Sequence, residues 1–147
     1  MKFLIVEDNK NKFEQISELI SQLYKGCIIE RAASFTSGRN KVYEANWTVI
    51  VMDVTLPTFD VTHTESGGDK KPVAGKDIMK RMINRKINIP VIVITQFETF
   101  DDNRVSLDSL NKEFEQDFKD IWKGTIFYEQ DDWRLELQDI LHEIIGE

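Results

Sequence analysis

The chain has 147 residues, 41% of them hydrophobic, and a single cysteine, Cys27. That is enough apolar content to bury a core and too much for a disordered chain. The formal charge of −7 and the pI near 4.9 exclude the basic face that nucleic acid or an anionic membrane surface requires.

One cysteine cannot form an internal disulfide and fits a reducing cytoplasm. Met1-Lys2 runs straight into a strand, so no signal peptide is expected. No apolar run approaches the ~20 residues of a membrane span. By size, residues 1–147 read as one domain.

In chain order, residues 2–6 read as the first strand. Polar residues 9–11 suit a helix start, and Phe13, Ile16, Leu19, Ile20 and Leu23 then recur at helical spacing until Gly26. Residues 27–32 form a second strand, placed at an edge because it carries Glu30 and Arg31. Ser34 or Thr36 can cap a helix running to about Asn46.

Val49-Ile50-Val51-Met52-Asp53 comes next. Four apolar residues running into one carboxylate read as a strand of a parallel sheet, buried on both faces. Thr55, Leu56 and Pro57 stop it.

Residues 54–74 hold Pro57, Gly67, Gly68 and Pro72 and little periodicity. They form a loop far longer than the usual ~4–6 residues. Within it, 61–64 and 72–73 can pair as a small hairpin. A helix is expected over 75–85 and a fourth strand over 89–95. A polar loop follows over 96–103. Leu107, Leu110, Phe114, Phe118 and Ile121 mark a long helix, with Trp122 on it and Gly124 breaking it. A short fifth strand at 125–128 and a last helix capped by Asp132 complete the chain.

Five strands alternating with five helices predict an α/β fold, a parallel sheet with helices on both faces. The expected strand order is 2-1-3-4-5. Open sheets of this kind carry their chemistry at the carboxyl ends of the strands, at the switch point. Three strands end in polar groups there: the first in Glu7-Asp8, the third in Asp53, the fourth in Thr95. An acidic pair after a strand also reads as a plain helix-start signal. Three such endings in order point instead to a single pocket.

Three carboxylates drawn together repel unless a cation joins them. All-oxygen donors of this hardness suit Mg²⁺. Asp8 and Asp53 are the expected direct ligands, with Glu7 direct or through water and the Thr55 backbone carbonyl as a further ligand.

Phe3-Leu4-Ile5-Val6-Glu7-Asp8-Asn9, Val49-Ile50-Val51-Met52-Asp53 with Leu56-Pro57, and Pro90-Val91-Ile92-Val93-Ile94-Thr95 resemble the receiver domain of two-component response regulators. The resemblance covers nearly the whole chain and implies a doubly wound, flavodoxin-like fold. It implies that Asp53 is phosphorylated by a histidine kinase or phosphotransfer protein, that Glu7 and Asp8 hold Mg²⁺, and that Thr95 moves to hydrogen-bond the phosphoryl group. It also implies output by contact with a protein effector, through the face of the fourth helix, fifth strand and fifth helix.

On this reading the chain is a single-domain, stand-alone receiver in a phosphorelay. It is no enzyme beyond self-catalysed phosphoryl transfer and autodephosphorylation. The alternative is a pseudo-receiver, the same fold used as a phosphorylation-independent interaction module. A phosphohydrolase using Asp53 is disfavoured, because Thr55 stands where the dehalogenase-type Asp-x-Asp motif has its general acid.

Three departures from the receiver pattern stand out. The lysine at the end of the fifth strand is missing: Ile126-Phe127-Tyr128-Glu129-Gln130-Asp131-Asp132 contains no Lys or Arg. Lys70, Lys71 or Lys76 could reach back from the loop, although solvated lysines are the simpler reading. About a dozen residues are inserted between Pro57 and Gly75. Gln96, where a small residue is usual, would crowd the site, with Phe97 and Phe100 beside it.

Overall fold

The computed structural model describes residues 1–62 and 66–146. In chain order the elements are β1 (Lys2–Val6), α1 (Lys10–Leu23), β2 (Ile28–Ala32), α2 (Phe35–Val42), β3 (Val49–Met52), β4 (Leu56–Pro57), β5 (Lys70–Lys71), α3 (Ala74–Asn84), β6 (Val91–Thr95), β7 (Thr99–Phe100), β8 (Val105–Ser106), α4 (Leu107–Asp117), β9 (Trp122–Phe127) and α5 (Trp133–Ile145). Five strands form one sheet in the order β2-β1-β3-β6-β9, every neighbouring pair parallel. This is the expected 2-1-3-4-5 arrangement of a flavodoxin-like receiver fold.

The apolar strands alternate faces, which gives the molecule two cores. Leu4, Val6, Ile50 and Met52 point toward α2, α3 and α4, where Phe35, Val42, Ile78, Met79, Met82, Leu110 and Phe114 meet them. Phe3, Ile5, Val49 and Val51 point the other way, onto Ile16 and Ile20 of α1 and Trp133, Leu137 and Leu141 of α5. Truncating such a side chain to Ala costs about 2–5 kcal/mol, so each sheet face anchors its helices firmly. Among the described residues no helix is long and apolar enough to cross a membrane.

Local chemistry sets the helix starts. Asn9 caps α1 by accepting from Lys12 N at 3.0 Å. Ser34 and Ser37 form a reciprocal capping box on α2. Asp132 stands at the start of α5 but its side chain makes no capping bond. Its φ of −98° and ψ of 17° are not the extended conformation that aims a cap.

Five expectations need correction. The helix expected to reach Trp122 stops at Asp117, and the fifth strand begins at Trp122 rather than 125. Phe118 and Ile121 still reach the core, through the turn that follows α4. Gly124 therefore interrupts no helix. It lies inside β9 where the register with β6 shifts, at φ 154°, and a Cβ there would meet Ile140 Cδ1 at 3.0 Å.

The inserted loop pairs further out than expected. Leu56–Pro57 joins Lys70–Lys71 antiparallel, and Thr58 and Phe59 extend the contact to Asp69 and Gly67. The central part of the expected hairpin, 63–65, lies outside the described residues. Finally, the polar stretch after β6 is not all loop, because Thr99–Phe100 pairs with Val105–Ser106.

Candidate functional site

The carboxyl ends of β1, β3 and β6 converge at one edge of the sheet, next to the start of α1. Glu7, Asp8 and Asp53 each offer a carboxylate oxygen there, and these atoms lie within 4.8 Å of one another. Glu7 and Asp53 are buried and Asp8 is half-buried.

Backbone bonds set the strand ends: Glu7 N–H donates to Ala32 O at 2.9 Å, and Asp53 N–H to Val6 O at 3.0 Å. Arg31, on the edge strand, clamps the loop after β1. Its Nε donates to the Glu7 carbonyl at 3.1 Å and its Nη2 to the Asp8 carbonyl at 2.9 Å.

Gly75 lets the first turn of α3 approach Asp53. Its N–H donates to Val54 O at 2.9 Å. A Cβ on Gly75 would lie 2.6 Å from the Asp53 carbonyl oxygen and 3.2 Å from Val54 Cα. Thr95 ends β6 fully buried, its Oγ1 accepting from Phe97 N at 3.3 Å. Thr55 Oγ1 donates to Pro72 O at 2.8 Å, tying the start of the insertion to its end.

A side chain that the sequence pattern did not point to sits in the middle of this group. Lys12 of α1 is 2% exposed. Its Nζ lies 2.7 Å from Glu7 Oε1 and 3.1 Å from Asp53 Oδ2. It also donates to the Ile94 carbonyl at 2.9 Å and to Gln96 Oε1 at 2.9 Å. The face of the Tyr128 ring lies 5.4 Å away.

The cation expected between the carboxylates is thus met first by the protein itself. A signal for it was present, since Lys12 lies one turn before Ile16 and two before Ile20, on the buried stripe of α1. Lys70, Lys71 and Lys76 do not serve. Lys76 pairs with Glu113 at 2.6 Å, Lys71 lies over the Phe35 ring, and Lys70 is an exposed residue of β5. Gln96 does not merely crowd the pocket; it holds Lys12. Phe97 is 45% exposed and meets the buried Phe100 edge-on.

Glu7 bears the electrostatic strain. Its pKa is pushed up to about 8, first by burial and then by the Asp53 charge, which together outweigh the nearby Lys12 ammonium and the Asn9 N–H. Asp53 Oδ1 accepts from Val54 N at 2.7 Å while Oδ2 faces Lys12. The three carboxylates form an all-oxygen set suited to a hard cation such as Mg²⁺. The donor chemistry therefore fits Mg²⁺, provided Lys12 yields part of its position.

A parallel sheet in this order, with an acidic pocket at its switch point, is the fold of response-regulator receiver domains. No protein-family model matches the chain. A CheY-like receiver domain from Methanospirillum hungatei superposes with a TM-score of 0.64 at 15% identity, covering 99% of this chain and 94% of that one. The receiver domain of a sensor histidine kinase from Pseudomonas aeruginosa, solved with magnesium in its active-site cleft, gives a TM-score of 0.60 at 20% identity, covering 99% and 98%. Among curated proteins, the Detocs response regulatory protein DtcB of Enterobacter cloacae is 26% identical over 133 residues, 88% of this chain and 89% of that protein. The uncharacterised protein y4jR of Sinorhizobium fredii is 26% identical over 144 residues, 95% of each chain.

Proposed function

We propose that this chain is a phospho-acceptor receiver of a phosphorelay, taking a phosphoryl group on Asp53. The observation that carries the reading is the meeting of Glu7, Asp8 and Asp53 within 4.8 Å at the strand ends, with Thr95 closing the adjacent strand. The likeness to a response regulatory protein and to a receiver whose cleft holds magnesium supports it.

In the step itself, an Asp53 carboxylate oxygen attacks phosphorus. The new O–P bond gives an acyl phosphate, and the bond from phosphorus to the donor breaks with its electron pair leaving on the donor. Glu7, Asp8, Asp53 and the Thr55 carbonyl would hold Mg²⁺, which when bound supplies positive charge to the phosphoryl oxygens. Thr95 then turns its hydroxyl from Phe97 N toward the phosphoryl group. That rearrangement biases the surface formed by α4, β9 and α5, where a protein effector reads the state.

The upstream donor is a histidine kinase or phosphotransfer protein, and the site of action is the cytoplasm. Turnover is limited to self-catalysed transfer and slow loss of the phosphoryl group. A second reading, a pseudo-receiver docking module, is favoured by one observation: Tyr128 follows directly after β9, where a receiver has lysine.

Acetyl phosphate with Mg²⁺, followed by intact mass, separates the two. A single added phosphoryl group in wild type, absent in Asp53→Asn, supports phospho-acceptance. No addition to wild type from either acetyl phosphate or a phosphorylated kinase leaves the docking module.

A further inference from the structure

We infer that Lys12 is the phosphoryl-binding cation of this pocket, supplied from the first helix in place of a lysine after the last strand. The inference rests on the phospho-acceptor reading above.

Lys12 is built in rather than incidental. An ammonium has three N–H donors, yet four oxygens surround this one at 2.7–3.1 Å: Glu7 Oε1, Asp53 Oδ2, the Ile94 carbonyl and Gln96 Oε1. They come from three strand ends, so Lys12 stands at the centre of the switch point and not at its margin. One acceptor is in surplus, and the longest contact is the one to Asp53. A phosphoryl oxygen on Asp53 can therefore take over that contact while Lys12 keeps Ile94 and Gln96 as fixed anchors. No donor is left unsatisfied by the exchange.

The lysine's origin explains two departures of the sequence. The residue after β9 is Tyr128, whose ring lies under the ammonium at 5.4 Å and whose hydroxyl donates to Gln15 on α1 at 2.6 Å. Its N–H is bonded to the Thr95 carbonyl at 2.8 Å, so it flanks the same strand end as Thr95. A lysine at 128 and a lysine at 12 would compete for one place, and this chain fills it from α1. Gln96 replaces a small residue because Lys12 needs an acceptor on that side.

The test compares wild type, Lys12→Met, Lys12→Arg, Tyr128→Lys and the Lys12→Met/Tyr128→Lys double variant. Uptake from acetyl phosphate with Mg²⁺ is read by intact mass. Mg²⁺ affinity is read separately by calorimetry, and folding by circular dichroism. Removing one well-placed donor to a developing charge costs about 100-fold or more in rate. Lys12→Met is therefore expected to bind Mg²⁺ more tightly than wild type, since a competing cation is gone, yet to take up the phosphoryl group about 100-fold more slowly. Lys12→Arg keeps part of the rate. Returning a cation through Tyr128→Lys in the double variant restores uptake.

If Lys12→Met is folded and phosphorylated at the wild-type rate, the inference is wrong and the phospho-acceptor reading stands. If wild type is inert and Lys12→Met is phosphorylated, Lys12 is a block and both fall for the native chain. If every variant including wild type is inert with acetyl phosphate and with a phosphorylated kinase, the phospho-acceptor reading fails and the inference with it. Should Lys12→Met not fold, Lys12→Gln, which keeps a hydrogen-bond donor without charge, takes its place with the same expected loss.

Discussion

Gly75→Ala isolates the contact that places α3 against the strand ending in Asp53. Two effects oppose each other. Alanine in a helical turn is favoured over glycine by about 0.5–1 kcal/mol. Against this, the added Cβ would lie 2.6 Å from the Asp53 carbonyl oxygen, when even a close carbon–oxygen contact sits near 3.3 Å.

The atom met is backbone, at the end of a buried strand, so it cannot rotate away. Overpacking of this kind costs about 1–3 kcal/mol, and the net effect is a loss of about 1–2 kcal/mol. For a chain of this size that is a fall in Tm of roughly 2–8 °C. The displaced atoms belong to Asp53 itself, so phosphoryl uptake should fall together with stability.

Urea denaturation and acetyl phosphate labelling of the same preparation measure both. Gly38→Ala is the control, because its Cβ would meet the buried Val6 Cγ1 methyl at 2.7 Å, a packing cost that does not fall on the Asp53 backbone. The reasoning is refuted if Gly75→Ala is as stable as wild type and labels at the same rate, or if Gly38→Ala alone impairs labelling.

Other predictions concern charge and backbone at the same site. With a chelator present, stability should decrease as pH rises from about 4.5 to about 8. The unfolded chain releases the Glu7 proton at its ordinary pKa of 4.5, while the folded chain holds it to about 8. The stabilisation is whole below 4.5, is lost across that window, and changes no further above it. Thermal denaturation at pH 5, 6, 7 and 8 should show this slope in wild type and a flatter profile in Glu7→Gln; equal slopes would sink the assignment. Arg31→Ala removes two donors from the Glu7 and Asp8 carbonyls and should weaken Mg²⁺ binding several-fold by calorimetry while the circular dichroism spectrum is kept. Gly124→Ala, at φ 154° and 3.0 Å from Ile140, should cost about 1–2 kcal/mol in urea without altering phosphoryl uptake.

The composition and order of apolar runs determined the sheet. Strands such as Val49-Ile50-Val51-Met52 are apolar on both faces, and only a doubly covered parallel sheet accommodates that. The order of elements and the right-handed crossover rule then left few topologies. Strand endings brought Glu7, Asp8 and Asp53 together for the same reason, because a carboxylate after a central strand has one exit, and Thr95 ends the neighbouring strand β6.

The boundary of the last strand was not legible. The spacing of Phe114, Phe118 and Ile121 continues a helical period across the turn after Asp117, and a glycine reads as a breaker whether it ends a helix or sits at a shift of strand register. The insertion and the stretch after β6 each carried a short pairing that no periodicity announces, since strands of two residues have no period.

Tertiary structure alone decided which cation enters the acidic pocket. A lysine near a helix start reads as a solvated surface group, and its position on the stripe of Ile16 and Ile20 says only that it points inward. That its ammonium reaches Glu7, Asp53, Ile94 and Gln96 at once follows from three strand ends and one helix meeting in space. These partners lie up to 84 residues away in the chain, and no local pattern of residues contains that distance.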